Sequence, residues 1–296
     1  MTVKEALDVS QRSVSGREAE IFLQEAMGVE RSWLYAHGED ELTTTQETTY
    51  SGFLDKREQN LPVAYITGHK EFYGRLFNCD KRALIPRPET EGLIDRAVAW
   101  LPEYFAKHAK ESNKPCPVRI LELGTGCGNI AVTLALELAK REVPCQIVAT
   151  DLAPEALELA QENWEKLKDT TDWARIHFVE ADLFDHSMVR SRTPYNLIIA
   201  NLPYVTDEWK FDPIAQPEVV FQEPDIALFG GLDGLDIYRR FFGEVSQYLA
   251  NDGHILIEYG EDQTPAITPL AKQVFPEKKL HFYPDYAGLD RTMEIQ

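Results

Sequence analysis

The sequence has no long apolar run, few cysteines and no excess of basic residues. None of its segments offers the roughly 18 consecutive apolar residues of a membrane-spanning helix, and the N-terminus lacks the basic-then-apolar layout of a signal peptide. The four cysteines lie far apart, with no CxxC pair and no short Cys/His cluster, which argues against a disulfide framework or a metal site. We therefore expect a cytoplasmic protein with reduced thiols, no membrane association and no bound metal.

Acidic residues outnumber basic ones by 49 to 30, which gives a formal net charge of −19. Proteins that bind nucleic acid gain affinity by neutralising phosphates with Lys and Arg, so a field of this sign opposes stable binding to DNA or RNA. Hydrophobic residues make up 44% of the chain and charged residues 27%, which is typical of a globular protein rather than a disordered one.

The first 64 residues have the pattern of a small helical domain. Apolar residues at positions 19, 22, 23 and 26 share one helical stripe, with Ser15 as the candidate N-cap and Gly28 where that helix should end. A second helix is expected over residues 43–59, after a Thr-rich cap region. We interpret residues 1–64 as a substrate-recognition domain.

Residues 65–90 are predicted to form a linker, and residues 91–296 a larger α/β domain. Over residues 66–86 the apolar period shortens to near two, with glycine punctuation, which predicts a β-hairpin. From residue 118 onward short apolar runs alternate with helical stretches, which indicates a Rossmann-like, mostly parallel sheet. The seven predicted strands are 118–123, 146–151, 175–180, 195–201, 254–259, 279–283 and 291–295, the last two as an antiparallel edge pair. The predicted helices between them are 129–141, 154–168 and 235–250.

The strongest local signal is a glycine loop that directly follows a predicted strand and opens a predicted helix. Its glycines allow a tight turn and a close approach to a ligand, and the helix N-terminus offers unpaired N–H groups. The G-x-G-x-G spacing differs from the dinucleotide fingerprint, and the acidic residue before it suits a cationic ligand such as S-adenosylmethionine. A plain strand-to-helix turn is the alternative. The cofactor-binding residues assigned here are Glu122, Gly124, Thr125, Gly126, Cys127 and Gly128.

Two aspartates follow the next two predicted strands. Asp151 ends the second strand, where a carboxylate can accept hydrogen bonds from both hydroxyls of a ribose. The alternative is that Asp151 caps the helix beginning at Pro154. Asp182, just past the third strand, is a candidate acceptor for the adenine amino group, with a solvated loop aspartate as the alternative.

The fourth predicted strand ends in Asn201-Leu202-Pro203-Tyr204, at the sheet edge where ligands bind in this fold class. An amide nitrogen or an aromatic amine is a weak nucleophile, so its methylation needs alignment and acceptors for its two N–H bonds. The Asn201 side-chain oxygen and the Leu202 carbonyl could supply those acceptors, while Pro203 stiffens the turn and Tyr204 flanks a planar substrate. A packing turn is the alternative. The stretch 202–234, rich in Pro and Gly, is predicted to be a functional loop.

Together these motifs resemble those of class I S-adenosylmethionine-dependent methyltransferases that act on a planar nitrogen. The resemblance narrows to the HemK/PrmC-type glutamine N5-methyltransferases through segments outside the glycine loop. Those segments are YITG (65–68), EFYG (71–74), LIPRPETE (84–91), FQEP (221–224), ALFGGLDG (227–234) and DYAGLDR (285–291). The resemblance covers nearly the whole chain and is weakest over the first 60 residues.

This resemblance implies methylation of the glutamine side chain in the Gly-Gly-Gln motif of class I peptide-chain release factors, with S-adenosylmethionine as donor. The family's Asn-Pro-Pro-Tyr motif corresponds to Asn201, Pro203 and Tyr204, whereas Leu202 departs from it. Because the acceptor at position 202 is a backbone carbonyl, the chemistry should survive this departure.

Several further residues receive expectations from the same resemblance or from their position. Leu183 stands where the family has an aromatic adenine wall, which leaves Phe184 or an apolar contact for that task. Glu223 is a candidate for positioning the loop over the substrate. Arg87 and Glu89 could order the linker as an ion pair or touch substrate.

Three other functions remain open from the sequence. Methylation of a ribosomal-protein glutamine differs only in the protein recognised. A DNA adenine N6-methyltransferase would use the same Asn-x-Pro-Tyr motif, although the negative net charge of the chain argues against DNA binding. A non-catalytic module that binds an adenosyl ligand would have no need for the NLPY tetrapeptide.

Overall fold

The computed structural model describes residues 1–10, 14–111, 116–168, 173–212 and 217–296. The α-helices of these residues are α1 (Val3–Ser10), α2 (Gly16–Met27), α3 (Arg31–Ala36), α4 (Thr44–Glu58), α5 (Val63–Thr67), α6 (Glu91–Glu111), α7 (Asn129–Ala139), α8 (Pro154–Leu167), α9 (Pro217–Gln222), α10 (Asp225–Leu228), α11 (Asp236–Glu244) and α12 (Thr264–Val274). The strands are β1 (His69–Phe72), β2 (Arg75–Asn78), β3 (Val118–Leu123), β4 (Cys145–Asp151), β5 (Ala174–Glu180), β6 (Tyr195–Asn201), β7 (Leu249–Glu258), β8 (Leu280–Pro284) and β9 (Asp290–Ile295). Within these ranges no helix combines the length and apolarity needed to cross a membrane.

The contacts divide the chain into two units. The first comprises Met1–His69 and Ala215–Gln222, and the second comprises Lys70–Ile214 and Glu223–Gln296. The two units are described separately below.

Reciprocal caps define the helices of the first unit. The Ser15 hydroxyl accepts the backbone N–H of Glu18, and the Glu18 carboxylate accepts the backbone N–H of Ser15, so two unpaired donors of α2 are satisfied. Gly28 ends α2 in the left-handed conformation. The predicted caps of this helix are therefore confirmed, as is the second helix, which α4 forms. Phe22 and Leu23 are fully buried in the core of this unit.

The second unit is built on a seven-stranded sheet with the order β5-β4-β3-β6-β7-β9-β8. Strands β3 to β7 pair in parallel, and β9 lies antiparallel between β7 and β8. The predicted seven-stranded α/β fold is thus confirmed. Strands β1 and β2 form a separate hairpin that is shorter than the predicted one, since residues 63–67 are helical.

The helices of this unit differ from the prediction in their bounds and in their number. Strand β7 begins at Leu249, which pairs with Tyr195, so the helix expected over 235–250 ends early, with α11 at Glu244. Helices α6, over Glu91–Glu111, and α12, over Thr264–Val274, are absent from the prediction, although both lie inside the predicted domain 91–296.

Successive residues of the central strands alternate between two cores, one on each face of the sheet. On β6, Leu197 and Ile199 belong to the core that includes residues of α6 and α7, whereas Ile198 and Ala200 belong to the core that includes residues of α11 and α12. Because both faces are buried, each strand is a nearly continuous apolar run, which is why the sequence pattern reveals it.

The carboxyl ends of neighbouring strands bring polar residues side by side. In the sheet register Asn201 pairs with Glu258, and Glu258 pairs with Thr292. The predicted functional loop 202–234 follows directly and holds a 3-10 turn, Asp207–Phe211, in addition to α9 and α10. Its residues 213–216 lie outside the described part of the chain.

Gly128→Ala is expected to destabilise the protein by about 1–3 kcal/mol more than Gly126→Ala. Both glycines have positive φ, so both substitutions carry a conformational cost. A Cβ at position 128 would also come within 3.0 Å of the Ala160 Cβ and 3.2 Å of its Cα, whereas the nearest atom at position 126 is 3.8 Å away. Denaturant unfolding of the two variants measures the difference, and equal losses would contradict this packing argument.

Candidate active site

A cavity opens at the carboxyl ends of β3, β4 and β6 in the second unit. Its wall combines the glycine loop, the residues after β4 and β5, the turn after β6 and parts of two flanking segments. The described lining residues include Ile85, Arg87, Thr90, Gly124, Thr125, Gly126, Asp151, Leu152, Asp182, Leu183, Asn201, Leu202, Pro203, Pro224, Ile237 and Arg240. Among the residues that the structure describes, no group of three or more His, Cys, Asp or Glu is placed to hold a metal ion.

The glycine loop and the turn after β6 approach each other closely. A Cβ at Gly124 would lie 3.3 Å from the Leu202 Cδ2 and 3.5 Å from the Asn201 carbonyl oxygen. Gly124 also has a φ of 71°, in the left-handed region. A side chain at this position would therefore push apart two segments that the cavity needs together.

Asp151 ties the end of β4 to the glycine loop. Its Oδ2 accepts the backbone N–H of Gly126 at 2.8 Å, and its Oδ1 accepts the N–H of Ala153 at 3.0 Å. Burial raises the pKa of this carboxyl, and these backbone donors act against that rise. Ala153, not Asp151, occupies the N-cap position of α8, so the capping alternative does not describe its role. Each carboxylate oxygen keeps a lone pair for a ligand hydroxyl.

Glu122 lies beneath the glycine loop and outside the described cavity wall. It is completely buried, its Oε2 accepts the Thr125 hydroxyl at 2.9 Å, and its Oε1 has no hydrogen-bond partner among the described residues. Burial raises the pKa of Glu122 to about 8. A buried carboxyl with one unpaired oxygen is a site where a nearby cation would be stabilising.

Glu122→Gln is expected to raise the unfolding midpoint of the ligand-free protein at pH 9 more than at pH 5. The folded state holds the Glu122 proton up to about pH 8, whereas the unfolded chain releases it near the ordinary carboxyl pKa of 4.5. The parent protein therefore loses stability as pH rises through that window, and glutamine cannot ionise. Thermal unfolding at pH 5, 7 and 9 measures this. The same midpoint difference at all three values would contradict it.

Asp182 and Leu183 both line the cavity but differ in exposure. Asp182 is exposed and accepts a hydrogen bond from the Arg240 guanidinium at 2.8 Å. Leu183 is buried, with a φ of 52°. Phe184 is fully buried and stacks on Tyr248 at a centroid distance of 4.8 Å, outside the described lining. The apolar contact at this wall therefore comes from Leu183, not from an aromatic ring.

Asn201 is oriented by a residue far away in sequence. Its Nδ2 donates a hydrogen bond to the Thr90 hydroxyl at 3.1 Å. Neither the Asn201 Oδ1 nor the Leu202 carbonyl accepts a hydrogen bond from any residue that the structure describes. Asn201 and Leu202 both line the cavity, so both acceptors belong to residues of its wall.

A buried network holds the turn after β6 in place. The Tyr204 hydroxyl donates to Glu258 Oε1 at 3.0 Å, and the Tyr204 carbonyl accepts from Gln263 at 2.9 Å. The Leu202 N–H donates to the Tyr238 hydroxyl, which in turn donates to the Glu258 carbonyl. Burial raises the pKa of both Tyr204 and Glu258. Tyr204 therefore braces the turn from outside the described lining.

Glu223 joins two segments of the cavity wall. Its carboxylate, with a side chain only 1% exposed, accepts the Ile85 N–H at 3.0 Å and the Arg87 guanidinium at 2.6 Å. The ion pair of Arg87 is thus with Glu223, 136 residues away, and not with the neighbouring Glu89. Glu223 is not among the described lining residues, so its contribution is to holding the wall together and not to a ligand surface.

The assigned site residues therefore fall into two groups. The described lining includes Gly124, Thr125, Gly126, Asp151, Asp182, Leu183, Asn201, Leu202 and Pro203. It does not include Glu122, Cys127, Gly128, Tyr204 and Glu223, which support the wall from behind. The sequence reasoning missed Thr90, Ile237 and Arg240. Only Thr90 carried a signal, its place inside the quoted 84–91 motif.

Comparison with known proteins places both parts of the chain. Residues 3–68 match the PrmC N-terminal domain family, and residues 117–286 match a methyltransferase domain family. The release factor glutamine methyltransferase of Koribacter versatilis is 34% identical over 300 residues, which is 99% of this chain and 98% of the relative. The protein of that name from Neisseria gonorrhoeae is 35% identical over 276 residues, with 93% and 91% covered. The solved human methyltransferase 10 domain containing protein shares the fold, with a TM-score of 0.50 at 17% identity, covering 76% of this chain and 89% of its own.

Proposed function

Because the chain belongs to the release factor glutamine methyltransferases, we propose that it transfers a methyl group to the side-chain nitrogen of the glutamine in the Gly-Gly-Gln motif of class I peptide-chain release factors. The product is N5-methylglutamine. The proposed setting is the cytoplasm, with a protein partner and without stable nucleic-acid binding.

One observation supports methylation of a nitrogen that carries two hydrogens. Two acceptors, the Asn201 Oδ1 and the Leu202 carbonyl, face no donor among the described residues and belong to one cavity wall. A primary carboxamide carries two N–H donors on one nitrogen, so it matches this pair. The Thr90 hydroxyl accepts a hydrogen bond from the Asn201 Nδ2. The Asn201 side chain is therefore held with its Oδ1 free to accept a hydrogen bond from a substrate.

S-adenosylmethionine is the proposed cofactor, and when bound it supplies the electrophilic methyl group. The residues present fit such a ligand. Gly124 and Gly126 leave room for close approach, Asp151 retains lone pairs for the ribose hydroxyls, and Leu183 offers an apolar surface to the adenine. Glu122 lies outside the cavity lining and supports the glycine loop through the Thr125 hydroxyl.

Catalysis by this chain would rest on alignment and on hydrogen-bond acceptance. Asn201 and Leu202 would grip both hydrogens of the glutamine nitrogen, which localises its lone pair and stabilises the positive charge that develops during transfer. The Tyr204–Glu258 hydrogen bond would keep this turn from relaxing. After transfer the nitrogen must lose one proton, and no residue needs to remove it before attack because the amide nitrogen is neutral.

A transfer assay tests the proposal. Purified protein is incubated with methyl-labelled S-adenosylmethionine and either a release factor or the same factor with the motif glutamine changed to glutamate. We expect label on the unaltered factor only, and tandem mass spectrometry should place one added methyl on the glutamine. Label on a ribosomal protein or on DNA in parallel reactions, or binding without any transfer, would overturn the proposal in favour of the corresponding alternative.

A further inference from the structure

A second cavity lies on the sheet away from the catalytic edge. It has a volume of about 320 Å³ and is bounded by residues near the amino ends of β3, β4 and β6, by the middle of β5 and by the segment that precedes β6. The catalytic cavity lies at the opposite, carboxyl ends of β3, β4 and β6. The two described linings have no residue in common.

The chemistry of this second cavity is unusual for so acidic a chain. Its polar lining residues are Arg119, Gln146, His177, Ser187, Ser191 and Tyr195, and its described wall contains no Asp or Glu. Acidic residues outnumber basic ones by 49 to 30 in the whole chain. A cavity wall without Asp or Glu therefore departs from the composition of the rest of the protein. Guanidinium, imidazole, amide and hydroxyl groups can all donate hydrogen bonds.

Arg119 is both fixed in place and incompletely bonded. Its guanidinium carbon lies 5.1 Å from the centroid of the Tyr195 ring, and Tyr195 is itself anchored because its hydroxyl donates to the Met188 and Val189 carbonyls. The Arg119 Nε is buried and has no hydrogen-bond partner among the described residues. A buried, unpaired donor on a cation points to a missing acceptor.

We propose that this cavity binds a small oxyanion of the phosphate type, with Arg119 as its principal ligand. A planar guanidinium stacked on an aromatic ring presents its N–H groups in a fixed direction, which matches the oxygens of a tetrahedral anion. His177 and the two serines would supply further donors from the other walls. This site is separate from the proposed methyl transfer and does not depend on it.

Titration calorimetry with inorganic phosphate tests this site in the full-length protein, against sodium chloride at matched ionic strength. We expect saturable binding to the parent protein and a loss of affinity of about tenfold or more in Arg119→Gln, as for loss of a charged hydrogen bond. The matched control is Arg96→Gln, because the Arg96 guanidinium also lies over a tyrosine, 4.3 Å from the Tyr283 ring centroid, but outside this cavity. Arg96→Gln should bind phosphate like the parent.

A second variant guards against a folding defect in Arg119→Gln. His177 is exposed on the edge strand β5, so His177→Gln should fold normally and still bind phosphate about three- to tenfold more weakly. The titrations are repeated with S-adenosylhomocysteine present, and the phosphate affinity should not change. Absence of saturable phosphate binding, parent-like binding in both variants, or binding that disappears with S-adenosylhomocysteine would each overturn the proposal.

Discussion

Asn201→Ala is expected to lower the rate of methyl transfer about a hundredfold to a thousandfold, the range observed when one preorganised charge-stabilising hydrogen bond is removed from an active site. Its affinity for S-adenosylhomocysteine should stay within about twofold of the parent value, since the remaining cavity wall is unchanged. Single-turnover rates and calorimetric affinities measure the two quantities separately. Comparable turnover in this variant would refute the role assigned to Asn201.

Thr90→Val tests whether the support of the Asn201 side chain matters for catalysis. The substitution leaves Asn201 in place but removes the hydroxyl that accepts its Nδ2 hydrogen. Loss of one neutral hydrogen bond should reduce kcat by about threefold to tenfold, with little change in KM. A change confined to thermal stability, with kcat unaltered, would show that Thr90 serves only the fold.

Asp151→Ala is expected to weaken binding of S-adenosylhomocysteine about tenfold to a hundredfold, as for the loss of one or two charge-assisted hydrogen bonds. The variant also frees the N–H groups of Gly126 and Ala153, so the glycine loop loses its tie to β4. Asp151→Asn keeps one acceptor oxygen and should fall between the parent and the alanine variant.

Asp182→Ala provides the comparison for Asp151. Asp182 lines the same cavity, but it is exposed and already bonded to Arg240. Its loss should therefore weaken the same ligand less than about tenfold. If Asp182→Ala proved more damaging than Asp151→Ala, the assignment of Asp151 as the main carboxylate of the binding site would be wrong.

The central parallel strands β3, β4 and β6 could be predicted because each is buried on both faces and is therefore a nearly continuous apolar run. The residues of the cavity wall that follow β3, β4 and β6 could be found in the same way, since polar residues directly after such runs must lie at one sheet edge. Asp151 and Asn201 illustrate this, and both line the cavity.

The residues that escaped prediction depend on contacts distant in sequence. Thr90 meets Asn201 across 111 positions, and Arg87 meets Glu223 across 136. Thr90 lies inside the 84–91 motif, but nothing in that motif indicates that its hydroxyl meets Asn201. Glu89 is the nearer carboxylate in sequence, but in the folded chain Arg87 pairs with the buried Glu223.

Asn201, Glu258 and Thr292 lie side by side on neighbouring strands, and this alignment has a consequence for the loss of activity on unfolding. A slip of β7 by one residue would carry Ile257 out of its core, and it would also remove Glu258 from beside Asn201. The burial of apolar side chains therefore fixes the register of the strands. The register in turn fixes the distances between the polar residues of the site. Heat or denaturant should consequently extinguish turnover and sheet structure at one midpoint, without a weakly competent intermediate.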